Sequence, residues 1–140
     1  MKEITVPAKL EELNRVIELV NRELEAHDCS MKTQTQIDIA VEEIYVNIAR
    51  YAYPARVGEA AIRCCVEGDP RMAVIRFEDA GIPYNPLERD DPDTSLSAEE
   101  REPGGLGIYM VKKIMDDVIY DYVDGKNILT IRKNIEEAKS

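Results

Sequence analysis

The chain has 140 residues, 44% of them apolar and 33% charged, a composition and length that suit one globular domain with a core of its own. Its 28 acidic residues outweigh 18 basic ones for a net charge of −10, and such a surface repels nucleic-acid phosphates and anionic lipid headgroups. Three cysteines, two of them adjacent at Cys64 and Cys65, make no disulfide framework, and with a single histidine and no CxxC they make no zinc site.

Residues 3–7 read as a short strand that stops at Pro7, with no apolar run behind it that would make a signal peptide. Nowhere does an apolar stretch approach the ~20 residues of a membrane span. A helix is expected over about 9–27. In it Leu10, Leu13, Ile17, Val20 and Leu24 form a buried stripe, while Glu11, Arg15, Glu18, Arg22 and Glu25 face away. Asp28-Cys29-Ser30 breaks it. A second helix is expected over about 33–52, with Ile37, Ala40, Val41, Ile44 and Ile48 on its apolar face and Pro54 as its stop.

Strand patterns follow at about 59–67 and 72–78, separated by Gly68-Asp69-Pro70, and Asp79-Ala80-Gly81-Ile82-Pro83 then turns the chain. Residues 84–103 carry three prolines and seven acids with few apolar groups, a long loop of functional or disordered type. Gly104-Gly105-Leu106-Gly107 opens a third helix over about 107–116. Two strands, about 118–123 and 127–133, close the chain through a hairpin turn at Asp124-Gly125. This order argues for a two-layer α/β (α+β) sandwich in one domain, with a mixed, mostly antiparallel sheet and the helices on one face.

Three places carry chemistry. Glu43 and Asn47 are four apart and Arg50 three further, so they share a polar strip beside the apolar stripe of the second helix. A carboxylate there can take a proton from a nucleophile, and an amide oxygen suits Mg²⁺. Taken alone, the strip reads better as a solvated helix edge with a Glu–Arg interaction. Glu42 points away from it. Asp79, at a strand end, can accept a hydrogen bond from an adenine amino group, and Gly81 lets backbone approach a flat base, although the same residues also make an ordinary turn. Glycines 104, 105 and 107 at a helix start leave backbone N–H groups open to phosphate, or act as a hinge for 84–103.

Together the three resemble the boxes of the GHKL ATPases, the superfamily of gyrase, MutL and the histidine kinases. The N box is Glu43-Ile44-Tyr45-Val46-Asn47, the first glycine box Asp79-Ala80-Gly81-Ile82-Pro83 and the second Gly104-Gly105-Leu106-Gly107-Ile108. Ala40-Val41-Glu42-Glu43 through Asn47, followed by Tyr51-Ala52-Tyr53, looks like the N-box helix of anti-sigma serine kinases of the RsbW and SpoIIAB type. The run from Gly104 to Val111, followed by Met115-Asp116, looks like their second glycine box.

That resemblance, covering residues 3 to 133, implies a cytoplasmic Mg-ATP-binding regulator and protein serine kinase. In this reading Asn47 ligates Mg²⁺ and Glu43 activates a serine or water. Asp79 reads adenine, with Gly81 beneath the base. Gly104, Gly105, Leu106 and Gly107 wrap the phosphates, which Arg50 also contacts, and 84–103 is the ATP lid. The implied partners are an anti-sigma factor antagonist and a sigma factor, with no nucleic acid and no membrane, and a homodimer by analogy. The alternative is an ATP-dependent binding module or simple ATPase. A histidine-kinase fragment ranks below both, because no helical phosphoacceptor region is evident and His27 reads as a helix-end surface residue. Two positions depart from these relatives. Tyr51 stands where many have histidine. Gly125-Lys126-Asn127 replaces their Gly-Thr-Thr, with Thr130 further on, which leaves the adenine-side contact there unassigned.

Overall fold

A computed structural model describes residues 1–88 and 105–136. Strand β1 (Lys2–Pro7) leads through a short 3-10 turn at Leu10–Glu12 into helix α1 (Leu13–Ala26) and then α2 (Met31–Tyr51). Strands β2 (Glu59–Glu67) and β3 (Met72–Asp79) follow, then a 3-10 turn at Pro86–Glu88, α3 (Gly105–Ile114), β4 (Asp117–Val123) and β5 (Lys126–Asn134). The strands lie in the order β1-β2-β3-β5-β4. Every pairing among them is antiparallel, where the sequence suggested a mixed, mostly antiparallel sheet. The β3–β5 neighbour pair is what hairpin signals alone do not supply: α3 and β4 intervene in sequence, and β5 returns to lie between β3 and β4.

Alternation along the strands builds the core. Ile4, Ile62, Phe77, Leu129 and Tyr120 form one row across the sheet through direct register partners. Val16, Val20 and Leu24 of α1, Ile37, Ala40, Val41, Ile44 and Tyr45 of α2, and Val111 of α3 pack with this face in one cluster. At ~25 cal/mol per Å² of apolar surface, this shared burial is what holds the two layers together. Tyr45 is fully buried, and its hydroxyl donates to the carbonyl oxygens of Lys9 (2.7 Å) and Pro7 (3.1 Å), tying α2 to the chain leaving β1.

Several boundaries differ from expectation for local reasons. The stripe of α1 is Val16, Val20 and Leu24; Leu10 is exposed, because the residues before Leu13 form the 3-10 turn and lie off the helical phase. Helix α2 begins at Met31, since the Ser30 side chain accepts from the Thr33 N–H and caps the first turn. The hairpin at Asp124 (φ 53°) and Gly125 (φ 77°) uses two left-handed residues, the backbone that matches strand twist in a two-residue loop. Among the described residues, no helix is long and apolar enough to cross a membrane.

Candidate functional site

The row of the sheet next to Phe77 and Leu129 holds Ala60, Asp79, Asn127 and Tyr122 as successive register partners. Two polar residues therefore sit side by side on the core face, at the end of the sheet that α2 reaches with its last turn. Both are buried, each at 7% exposure. Asp79 Oδ1 accepts from the Gly81 N–H (2.9 Å) and from the Asn127 amide (3.0 Å). The same amide nitrogen donates to the Ile82 carbonyl (2.8 Å), and Asn127 Oδ1 accepts from the Tyr84 N–H (3.2 Å) and the Tyr120 hydroxyl.

Above this pair a cavity of about 90 Å³ opens. Phe77, Leu129 and Ile44 form its buried apolar base, and Asn47, Ile48 and Tyr51 of α2, with Ala52 just after it, form one wall. Ile82 and Tyr84, both substantially exposed, stand at the turn after Asp79, and Ile108 of α3 closes another side. Apolar walls with a few convergent polar groups are the usual form of a small-ligand pocket. A buried carboxylate at the bottom of a slot lined by aromatic and branched side chains suits a flat heterocycle that donates a hydrogen bond.

Two glycines let the site close. A Cβ on Gly81 would lie 2.3 Å from the Ala52 carbonyl oxygen. The turn after Asp79 can thus pack against the end of α2, where the Ile82 N–H donates to that same oxygen (2.9 Å). The bare face of Gly81 is turned toward α2. A Cβ on Gly107 would lie 2.2 Å from Glu43 Oε2 and 2.9 Å from its Cδ. The Glu43 carboxylate is therefore seated against the first turn of α3, where a helix N-terminus favours negative charge.

The structure thus brings Asn47 and Asp79 to one cavity and Glu43 to Gly107. Glu43 and Asn47 are half-buried, whereas Glu42 and Arg50 are exposed and Arg50 does not line the cavity. Gly105 and Leu106 begin α3, two residues earlier than their glycine-rich sequence suggests, but the side chain of Leu106 lies outside the described ones. Gly104 and residues 89–103 of the expected lid lie outside the described residues. His27 caps the end of α1, 3.2 Å from Glu23, in keeping with a helix-end role. All three cysteines are free, and burial pushes the Cys64 thiol up to about 12, which leaves it unreactive.

Sequence reasoning missed Tyr53, Tyr84, Tyr120 and the connections of Asn127. The Tyr53 hydroxyl accepts from the Ala80 N–H (2.8 Å) and donates to the Glu59 carbonyl (2.6 Å), bracing the turn after Asp79 from the opposite side. Only Asn127 had a signal, as an amide where similar sequences carry threonine.

Comparison with known proteins agrees with this geometry. The chain is 30% identical over 93 residues to serine-protein kinase RsbW of Bacillus cereus, covering 65% of this chain and 58% of that one. It is 26% identical over 103 residues to serine/threonine-protein kinase BtrW of Bordetella bronchiseptica, covering 73% and 71%. The chain thus spans less than two thirds of the length of the RsbW relatives. In fold it resembles the Acinetobacter baumannii histidine kinase AdeS, with a TM-score of 0.51 at 12% identity, covering 98% of this chain and 70% of that one. It also resembles the histidine kinase domain of the Erythrobacter litoralis blue-light activated kinase EL346, with a TM-score of 0.53 at 13% identity, covering 93% and 62%. The histidine kinase-like ATPase domain profile matches residues 6–133, and the chain belongs to that family.

Proposed function

We propose that this protein binds Mg-ATP and acts as an anti-sigma-type protein serine kinase, transferring phosphate to an anti-sigma factor antagonist in a partner-switching pathway. The observation that carries the nucleotide reading is the buried Asp79 carboxylate at the base of an apolar slot, with Asn47 on the adjoining wall. Asp79 accepts from the 6-amino group of adenine, the slot takes the ring, and Gly81 lets the turn close beside it. Glycines 104, 105 and 107, with Leu106, hold the phosphates at the start of α3, and Arg50 adds a charge from the exposed end of the α2 strip.

The donor set fits magnesium in kind. Asn47 offers a neutral oxygen, and Mg²⁺ is usually held by one or two protein ligands plus phosphates and water. In this reading the phosphates and water supply the remaining ligands. When bound, the ion neutralises phosphate charge. Glu43 takes the hydroxyl proton of the attacking serine as its oxygen bonds to the γ-phosphorus and the bond to the β-phosphate breaks. In this reading residues 1–140 are one catalytic domain with 84–103 as its lid. It works in the cytoplasm as a homodimer that also binds a sigma factor and touches neither nucleic acid nor membrane. The net charge of −10 supports those last exclusions, and the names of RsbW and BtrW support the reaction.

The test is phosphoryl transfer from labelled ATP to purified anti-sigma factor antagonists, with Glu43→Gln beside the wild type. The kinase reading expects label on a serine and a loss of roughly 10²–10⁴-fold in Glu43→Gln with nucleotide binding retained, the usual share of a general base. Label passing only to water would favour a simple ATPase, and label staying on ATP would favour a nucleotide-dependent binding module.

A further inference from the structure

The four hydrogen bonds of Asn127 use everything its side chain has. An amide offers two N–H donors and two acceptor lone pairs. Here the donors go to Asp79 Oδ1 and the Ile82 carbonyl, and the acceptor positions take the Tyr84 N–H and the Tyr120 hydroxyl. The orientation of the amide is fixed by chemistry. A backbone N–H can only donate and a backbone carbonyl only accept, so the oxygen must face Tyr84 and the nitrogen Ile82. No hydrogen-bonding group remains on Asn127 for a ligand, although the side chain lines the cavity.

The consequence falls on Asp79. Its Oδ1 is already taken by two donors, Gly81 N–H and Asn127 Nδ2, while no donor among the described residues reaches Oδ2. A carboxylate held by one oxygen presents the other in a defined direction. The same amide also holds Ile82 and Tyr84, which stand at the cavity after the turn. It therefore joins β3, β5, β4 and the 82–84 turn at one point.

We propose that Asn127 is a positioning residue for base selection: it lines the cavity but has no hydrogen-bonding group left for the nucleotide, and it aims the free oxygen of Asp79 at the exocyclic amino group of a 6-aminopurine, with Tyr120 holding the amide in place. The inference rests on the nucleotide reading above and goes beyond it, because it assigns the discrimination between a 6-amino and a 6-oxo purine to a residue whose own hydrogen-bonding groups are all taken by the protein. A 6-oxo purine sets its own acceptor against Asp79 Oδ2. Discrimination then depends on how firmly that oxygen is held.

The experiment is calorimetric titration of the full chain with ATP and with inosine triphosphate, each with Mg²⁺, for wild type, Asn127→Leu and Tyr120→Phe. The wild type is expected to prefer ATP by roughly tenfold to a hundredfold, the range of one hydrogen bond to a charged group. Asn127→Leu matches the volume but not the bonds, and the preference should fall by at least ~10-fold. Tyr120→Phe removes one donor to the amide and should lower the preference by roughly threefold. If Asn127→Leu does not fold, Tyr120→Phe carries the test. Parallel losses for both nucleotides, with the preference unchanged in every folded variant, would overturn the inference and leave the nucleotide reading standing. A wild type that binds ATP without preferring it also overturns the inference. Binding of neither nucleotide by the wild type overturns both.

Discussion

Glu43 and Gly107 touch across the α2–α3 boundary: the glutamate Oε2 lies 2.2 Å from where a Cβ on Gly107 would stand. The obstacle is the end of a flexible side chain, so a methyl group there displaces the carboxylate and spares the backbone. Alanine also gains ~0.5–1 kcal/mol over glycine within a helix. Gly107→Ala should therefore unfold within about 1 kcal/mol of wild type while, on the proposal that Glu43 is the base, turnover falls by roughly ten- to a hundredfold. Thermal unfolding beside a steady-state rate separates the two effects; a variant with normal turnover would mean that the Glu43 position does not matter.

Gly81 presents the opposite case. The atom in the way is the Ala52 carbonyl oxygen, 2.3 Å from the ideal Cβ, with the Ala52 carbonyl carbon at 2.7 Å. Backbone cannot swing aside, so Gly81→Ala must open the turn and lose the Ile82–Ala52 hydrogen bond. A loss of about 1–3 kcal/mol is expected in denaturant unfolding, the usual cost of overpacking. A variant as stable as wild type would show that the turn is looser than this packing requires.

Tyr53→Phe removes the hydroxyl that joins Ala80 to Glu59. The ring stays, still covered by Gly58 and by the Arg56 guanidinium at 5.2 Å. Stability should drop by about 1–2 kcal/mol, the cost of two unmade hydrogen bonds at a half-buried site. Hydrogen exchange at Ala80 should accelerate with it, and unchanged protection there would contradict the bracing role.

Asp38 gives a pH dependence with a definite sign. Burial in the α1–α2 interface raises its carboxyl above the ordinary 3.8, opposed by a hydrogen bond from Asn21 and reinforced by the charge of Glu25. A raised folded-state value means the neutral acid is favoured in the fold. Its contribution is fully present below the unfolded value and is lost as pH rises through the folded one. Asp38→Asn mimics the neutral acid, so it should raise the melting temperature at neutral pH, and the gain should shrink as pH falls toward ~4. Melting curves of both proteins across that range test this; a gain independent of pH would mean that packing, not ionisation, is responsible.

Much of the architecture was legible from spacing. The 3.6-residue stripe of α2 and the alternation of β2, β3 and β5 located those elements to within a residue or two. Glycines at 104, 105 and 107 argued for a later start to α3, since glycine is a poor helix former, yet the helix opens at Gly105. Asp79, Asn47 and Glu43 were singled out by residue type and phase. The Asp79–Asn127 pair was not, because it joins residues 48 apart whose contact depends on β3–β5 register. Nor did local pattern connect Tyr120 and Tyr84 to it, since long-range pairing decides which side chains face one another.

Calorimetry is the most immediate check on the proposal that Asp79 and the slot above it bind the adenine of Mg-ATP. Titration of the wild type with ATP and Mg²⁺ should give a dissociation constant in the micromolar range or tighter, about −8 kcal/mol. Asp79→Asn should weaken it by at least ~10-fold, since one charged acceptor is lost. No binding by the wild type, or an Asp79→Asn variant that binds as tightly, would rule out Asp79 as the adenine acceptor.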